Sequence, residues 1–90
     1  EPEKIILFGS YAYGQPNEDS DLDILVIKDI EAAKVREFRI DLKLKLWNII
    51  QKLNIPIDIF VDSQQSIDQR IEDGDQFYKE IISKGSVIYA

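Results

Sequence analysis

The chain has 90 residues, 44% of them hydrophobic and 31% charged, and a formal net charge of −6 at neutral pH. These values describe one ordinary globular domain over 1–90 and exclude a disordered chain, while the negative surplus argues against direct binding to nucleic acid through the global field. Cysteine and histidine are absent, so disulfides, zinc centres and Ser-His-Asp chemistry are excluded, and any metal must be held by oxygen ligands, as magnesium, manganese or calcium are.

Lys4 to Phe8 (KIILF) is a nearly continuous apolar run, the pattern of a buried strand. Gly9-Ser10 ends it. Residues 10–13 suit a short helical turn before Gly14, and 15–20, polar and containing Pro16 and Asn17, read as a loop. Residues 21–27 (DLDILVI) form the second strand. Val35, Phe38, Leu42, Leu46, Ile49, Ile50 and Leu53 then recur at steps of three and four, which predicts one long helix over 31–53, stopped by Asn54 and Pro56.

Residues 57–61 (IDIFV) are the third strand. Asp62, with Gln65 three residues on, resembles the N-cap of a helix to about residue 73. After Gly74, a last helix over 75–83 carries Phe77 and Ile81 on one side, with Lys84 in its final turn and Gly85 as a left-handed cap. Ser86–Tyr89 adds a terminal strand. This order predicts an α/β or α+β domain with a mixed sheet of about four strands flanked by helices. No apolar run reaches the length of a membrane span and no signal-peptide pattern opens the chain, so a cytoplasmic location without membrane contact is expected. The chain opens on Glu1 rather than Met, which leaves room for a segment upstream.

Two features carry chemistry. Gly9-Ser10 directly follows a strand, where glycine lets the backbone turn and lets a phosphate approach the main chain, with nearby amides and the Ser10 hydroxyl as donors. Asp21 and Asp23 open the second strand at i and i+2, so both carboxylates point to one face with Cα atoms roughly 6.5–7 Å apart. Carboxylates so placed can converge on two divalent ions about 3.5–4 Å apart.

The segments Leu7-Phe8-Gly9-Ser10-Tyr11-Ala12-Tyr13-Gly14 and Ser20-Asp21-Leu22-Asp23-Ile24-Leu25-Val26 set GS, ten residues, then DxD. This resembles the signature of the DNA polymerase β-like nucleotidyltransferases, and within them the small MNT (minimal nucleotidyltransferase) proteins. The resemblance covers nearly the whole chain, including Pro56-Ile57-Asp58-Ile59, where the family places a third carboxylate. It implies Asp21, Asp23 and Asp58 as catalytic metal ligands for two magnesium ions, with Asp58 also helping to deprotonate the attacking hydroxyl. Gly9 and Ser10 are then the nucleotide-binding turn that holds the triphosphate of ATP. It further implies a partner, a HEPN-domain RNase toxin that the MNT protein, as antitoxin, neutralises by adding AMP to a tyrosine.

Ninety residues leave little for an acceptor-binding domain, so the acceptor is expected on another molecule, in a homo- or hetero-oligomer. A non-catalytic antitoxin acting by occlusion, and a small-molecule transferase of the aminoglycoside-modifying type, are the alternatives.

Each residue also has a plainer reading. Asp21, Asp23 and Asp58 suit solvated strand positions, although an unpaired charge in an apolar strand is costly. Ser10 suits a helix cap. Tyr13 departs from the family pattern, which often carries Arg there, and supplies no cation. Arg36, Arg39 and Lys43 lie on one face of the long helix and read as a solvated basic stripe, with the triphosphate or a partner as the sharper alternative. Trp47, Phe77 and Tyr78 read as core or partner-surface residues. Asp73-Gly74-Asp75 lacks the ligand ladder of a calcium loop.

Overall fold

Aliphatic runs form the middle of a four-stranded sheet, and the amphipathic segments cover its two faces. The computed structural model describes residues 2–17 and 20–90; Glu18 and Asp19 of the expected 15–20 loop, and Glu1, lie outside them. The strands are β1 (Lys4–Phe8), β2 (Leu22–Ile27), β3 (Ile57–Asp62) and β4 (Ser86–Tyr89), in the order β3-β2-β1-β4. β1 is antiparallel to β2 and β4, and β2 is parallel to β3. The parallel pair needs a crossover, which the long helical stretch provides.

Alternation along each strand divides the apolar residues between two layers. Ile6, Phe8, Leu25 and Ile27 pack with Ile67 of α4 (Gln64–Glu72) and with Tyr78 and Ile81 of α5 (Gln76–Lys84). On the opposite face, Val26, Ile57, Ile59 and Val61 pack against Val35, Phe38, Leu42, Leu46 and Ile50. The mixed sheet flanked by helices is therefore as expected.

Several local expectations are corrected. The 31–53 helix is divided into a 3-10 turn (Ala32–Lys34), α2 (Val35–Lys45) and α3 (Trp47–Leu53), after the short α1 (Ser10–Tyr13). Leu46, with ψ near 1°, interrupts it, although the Leu46 and Ile50 amides still donate to Leu42 and Leu46 oxygens at 3.1 and 2.9 Å. The partly buried row continues in steps of four through 42, 46 and 50, which leaves Ile49 and Leu53 exposed rather than on the apolar face. Asp21 precedes β2 instead of starting it.

The cap of α4 is Ser63, whose hydroxyl accepts from the Ser66 amide at 3.1 Å; Asp62 ends β3. Asp75 caps α5 from outside the helix. Gly85 is extended (φ −67°, ψ 158°), not left-handed, because it lies against β1: a Cβ there meets Ile6 Cγ2 and the Ile81 oxygen, each at 2.5 Å.

Asp62 instead joins the two C-terminal helices to the sheet. The buried Tyr78 hydroxyl donates to its Oδ2 at 3.1 Å, and Arg70 Nε stands 3.6 Å from the same oxygen. Burial, then the Asp62 charge, pushes the Tyr78 hydroxyl up to about 12. Because the folded value lies above the unfolded one, the folded state holds this proton more tightly. The resulting stability is complete below about pH 10 and is lost as pH rises toward 12. Tyr78→Phe should cost about 1–2 kcal/mol in urea denaturation at neutral pH, the usual cost of removing one partner of a part-buried hydrogen bond. A change within experimental error would show that Arg70 alone satisfies Asp62.

Candidate active site

The end of β1 and the starts of β2 and β3 lie side by side at one end of the sheet. Phe8, the last residue of β1, is opposite Asp23, and Asp23 is level with Asp58 in the parallel ladder. Neighbouring strands are about 4.8 Å apart, so the register alone places these two aspartates in adjacent positions on the same face. Asp21 lies one residue before β2 and is exposed; Asp23 is partly buried and Asp58 exposed.

Gly9 closes this arrangement from the β1 side. It has φ 78° and ψ −159°, a region open essentially to glycine alone, and its carbonyl accepts from the Ala12 and Tyr13 amides at 3.0 and 3.1 Å. A Cβ here runs into Asp23 Oδ2 and comes within 3.3 Å of Asp23 Cγ. The turn and the DxD carboxylate are therefore in contact, and Ser10 begins α1, where the Ser10 and Tyr11 amides have no partner within the helix.

Electrostatics binds the three aspartates into one group. The Asp23 carboxyl is raised above the ordinary carboxylate value, first by burial, then by the charges of Asp58 and Asp21. No hydrogen bond or ion pair compensates the three among the described residues. Such a set is chemically suited to a hard divalent cation, which favours the charged forms that burial and mutual repulsion oppose. The coordination geometry is not finished, however: among the described residues, no three acidic groups are placed to hold one ion. The fit lies in donor chemistry and backbone register.

Three sets of neighbours at this end of the sheet were either read as the plainer alternative or not placed by sequence reasoning. Asp58 lines a cleft of about 390 Å³ with Ile59, Phe60 and, from α2, Arg39, Ile40 and Lys43. Two members of the basic stripe thus stand beside the third aspartate. The four-residue spacing of Arg39 and Lys43 was visible, but their position required knowing that α2 crosses β3 and that β3 is the outer strand. Lys84 Nζ lies 6.0 Å from the ring centre of Tyr13, so a cation accompanies the residue that replaces the family's Arg. Phe8, Phe60 and Phe77 form a triangle with ring centres 5.5–5.7 Å apart; Phe8 is opposite Asp23 and Phe60 is two residues on from Asp58, on the same face. Phe77 is 46% exposed and Trp47 50%, so neither is a core residue; Tyr78, at 8%, is.

A protein of Methanocaldococcus jannaschii named "Putative protein adenylyltransferase" is 36% identical over 86 residues, which cover 96% of this chain and 77% of that protein. No solved structure matches significantly. The family described as "Polymerase beta, Nucleotidyltransferase" matches residues 1–90 in full. Its members typically depend on a metal, and nucleotidyl transfer is the activity this membership supports. With its GS turn abutting an in-register pair of aspartates, the chain belongs to the polymerase beta nucleotidyltransferase family.

Proposed function

We propose that the protein transfers AMP from ATP to a hydroxyl on a partner protein. The observation that carries this is Asp23 held between Gly9 and Asp58, with Asp21 close enough to raise its proton affinity. In the reaction the acceptor oxygen bonds to the α-phosphorus while the bond from that phosphorus to the bridging oxygen breaks. Pyrophosphate leaves, and the hydroxyl proton passes to the Asp58 carboxylate and on to solvent. Gly9 keeps the main chain low enough for the triphosphate to lie on the turn, and the Ser10 hydroxyl with the Ser10 and Tyr11 amides donates to its oxygens. Asp21, Asp23 and Asp58 would hold two magnesium ions, which supply Lewis-acid stabilisation of the charge developing on the phosphoryl oxygens.

A protein acceptor is supported by the M. jannaschii relative's name. The MNT resemblance supports a HEPN-domain toxin as that acceptor, with this chain as its antitoxin in the cytoplasm. The decisive experiment has two arms. Calorimetry should detect magnesium–ATP binding to the wild type and not to Asp21→Asn/Asp23→Asn. Incubation with ATP, magnesium and a HEPN-domain partner should add AMP to a partner hydroxyl, seen by mass spectrometry. Nucleotide binding without any adduct would overturn the protein-acceptor reading, and absence of both would overturn the transferase itself.

A second reading is neutralisation by occlusion alone, favoured by the open arrangement of the three carboxylates. It requires Asp21→Asn/Asp23→Asn to neutralise the partner as well as the wild type does.

A further inference from the structure

β3 is the outer strand of the sheet on one side. Its partner β2 uses the carbonyls of Pro56 and Asp62, which accept from the Leu22 and Lys28 amides at 2.8 and 3.0 Å. In a parallel ladder alternate residues face the same neighbour, so Ile57, Ile59 and Val61 turn their amides and carbonyls to the open edge. Two hollows lie along that edge, of about 390 and 360 Å³, and both are lined by Arg39 and Phe60. Sharing these two residues, they border β3 from Asp58 to Asp62, and the stretch they line is termed the groove.

The groove is locally basic in an acidic protein. Arg39 and Lys43 are exposed on the α2 wall, and neither has an ion-pair partner among the described residues. Arg70, on the α4 wall, is instead occupied with Asp62 and the Tyr78 ring. The acidic residues of α2, Glu37 and Asp41, line a different hollow that contains neither Arg39 nor Lys43. The helix thus separates its charges, and its cations border the strand that carries Asp58.

We propose that this groove is the docking track of the acceptor: an acidic, extended peptide segment adds to the open edge of β3 and sets its carboxylates against Arg39 and Lys43. Its hydroxyl is thereby delivered to Asp58, and in that respect the proposal rests on the transferase reading. The unpaired main-chain donors and acceptors supply affinity, and the two cations supply selection by charge. A nucleic acid suits the groove less well. It gains nothing from the amides and carbonyls arranged for a strand, and it meets the field of a chain with net charge −6.

The test reads binding without nucleotide. A fluorescent peptide alternating Glu with Tyr or Thr, its Lys counterpart, two acidic versions N-methylated at alternate amides in the two opposite phases, and a short oligouridine are titrated with the protein, followed by anisotropy. The acidic peptide should bind at least about ten-fold more tightly than the Lys peptide. N-methylation should abolish its binding in one phase of the alternation, and Arg39→Glu/Lys43→Glu should invert the charge preference while magnesium–ATP binding persists. Equal affinity for the two peptides, indifference to N-methylation or to the charge reversal, or preference for oligouridine would each overturn the proposal. The two readings fail separately: peptide binding without magnesium–ATP binding removes the transferase and keeps the groove, and the converse removes the groove.

Discussion

Asp23→Asn is expected to lower nucleotidyl transfer by about 10³-fold while making the fold more resistant to urea. The loss follows from what Asp23 does if the site works as proposed. It is the carboxylate in contact with the Gly9 turn and level with Asp58, so it is central to any cation that both would share. Lewis-acid stabilisation of a phosphoryl transition state is worth several kcal/mol, and each 1.36 kcal/mol is a factor of ten in rate. An amide is isosteric with the carboxylate but has only one oxygen and no charge.

The gain in stability has a separate origin. Burial and the two neighbouring aspartates raise the Asp23 carboxyl above its ordinary value, so in the folded chain the charged form is the disfavoured one. The folded state therefore binds the proton more tightly than the unfolded chain does. The Asp23 contribution is fully present in acid and is lost as pH rises through the folded value. The amide of the variant never acquires the charge, so its advantage over the carboxylate should be largest near neutral pH and should vanish in acid. Urea midpoints of both proteins in chelator across that range measure this directly. A destabilised Asp23→Asn variant at neutral pH would mean that Asp23 is a structural residue with an unseen partner, and the proposed cation site would lose its basis.

The parts of the fold that could be read in advance were those set by local chemistry. KIILF and LDILVI are strands because largely aliphatic runs suit the interior of a two-sided sheet, and both faces are indeed covered. The GS and DxD elements were legible for a similar reason, since each depends on a turn or a strand a few residues long. The parts that were not legible depend on partners distant in sequence. Asp58 was named beside Asp23 through the family resemblance alone; the local pattern could not place it there, because lying level with Asp23 requires the parallel register across a crossover of about thirty residues. Asp62 resembles a cap locally, but Tyr78 and Arg70 from two later helices hold it at the strand end. Gly85 looked like a helix cap because the helix does end there, yet the close approach of β1 is what requires a residue without a side chain. Arg39 and Lys43 were visible as a stripe, and only the strand order places them beside Asp58.

Gly9→Ala should be the most disruptive single substitution at the turn, because it is penalised twice. The backbone at φ 78° and ψ −159° is strained for any side chain, at a cost of about 1–3 kcal/mol. The new methyl also collides with the Asp23 carboxylate, which must move or force the turn outward. Against the roughly 5–15 kcal/mol that separates a folded domain from its unfolded chain, this is a large share. Transfer should fall with it, since the displaced groups are the phosphate-facing turn and a proposed metal ligand.

A double-mutant cycle separates the two penalties. Asp23→Ala removes the colliding carboxylate and leaves only a Cβ, whose present distance of 3.5 Å from the added methyl is ordinary contact. Gly9→Ala/Asp23→Ala should therefore be more stable than the sum of the single changes predicts, by about 1 kcal/mol or more, while remaining inactive. Additive stabilities would show that the turn relaxes away from Asp23 at no cost. The contact between the glycine turn and the DxD carboxylate would then be incidental, and the two halves of the motif would be neighbours without being coupled.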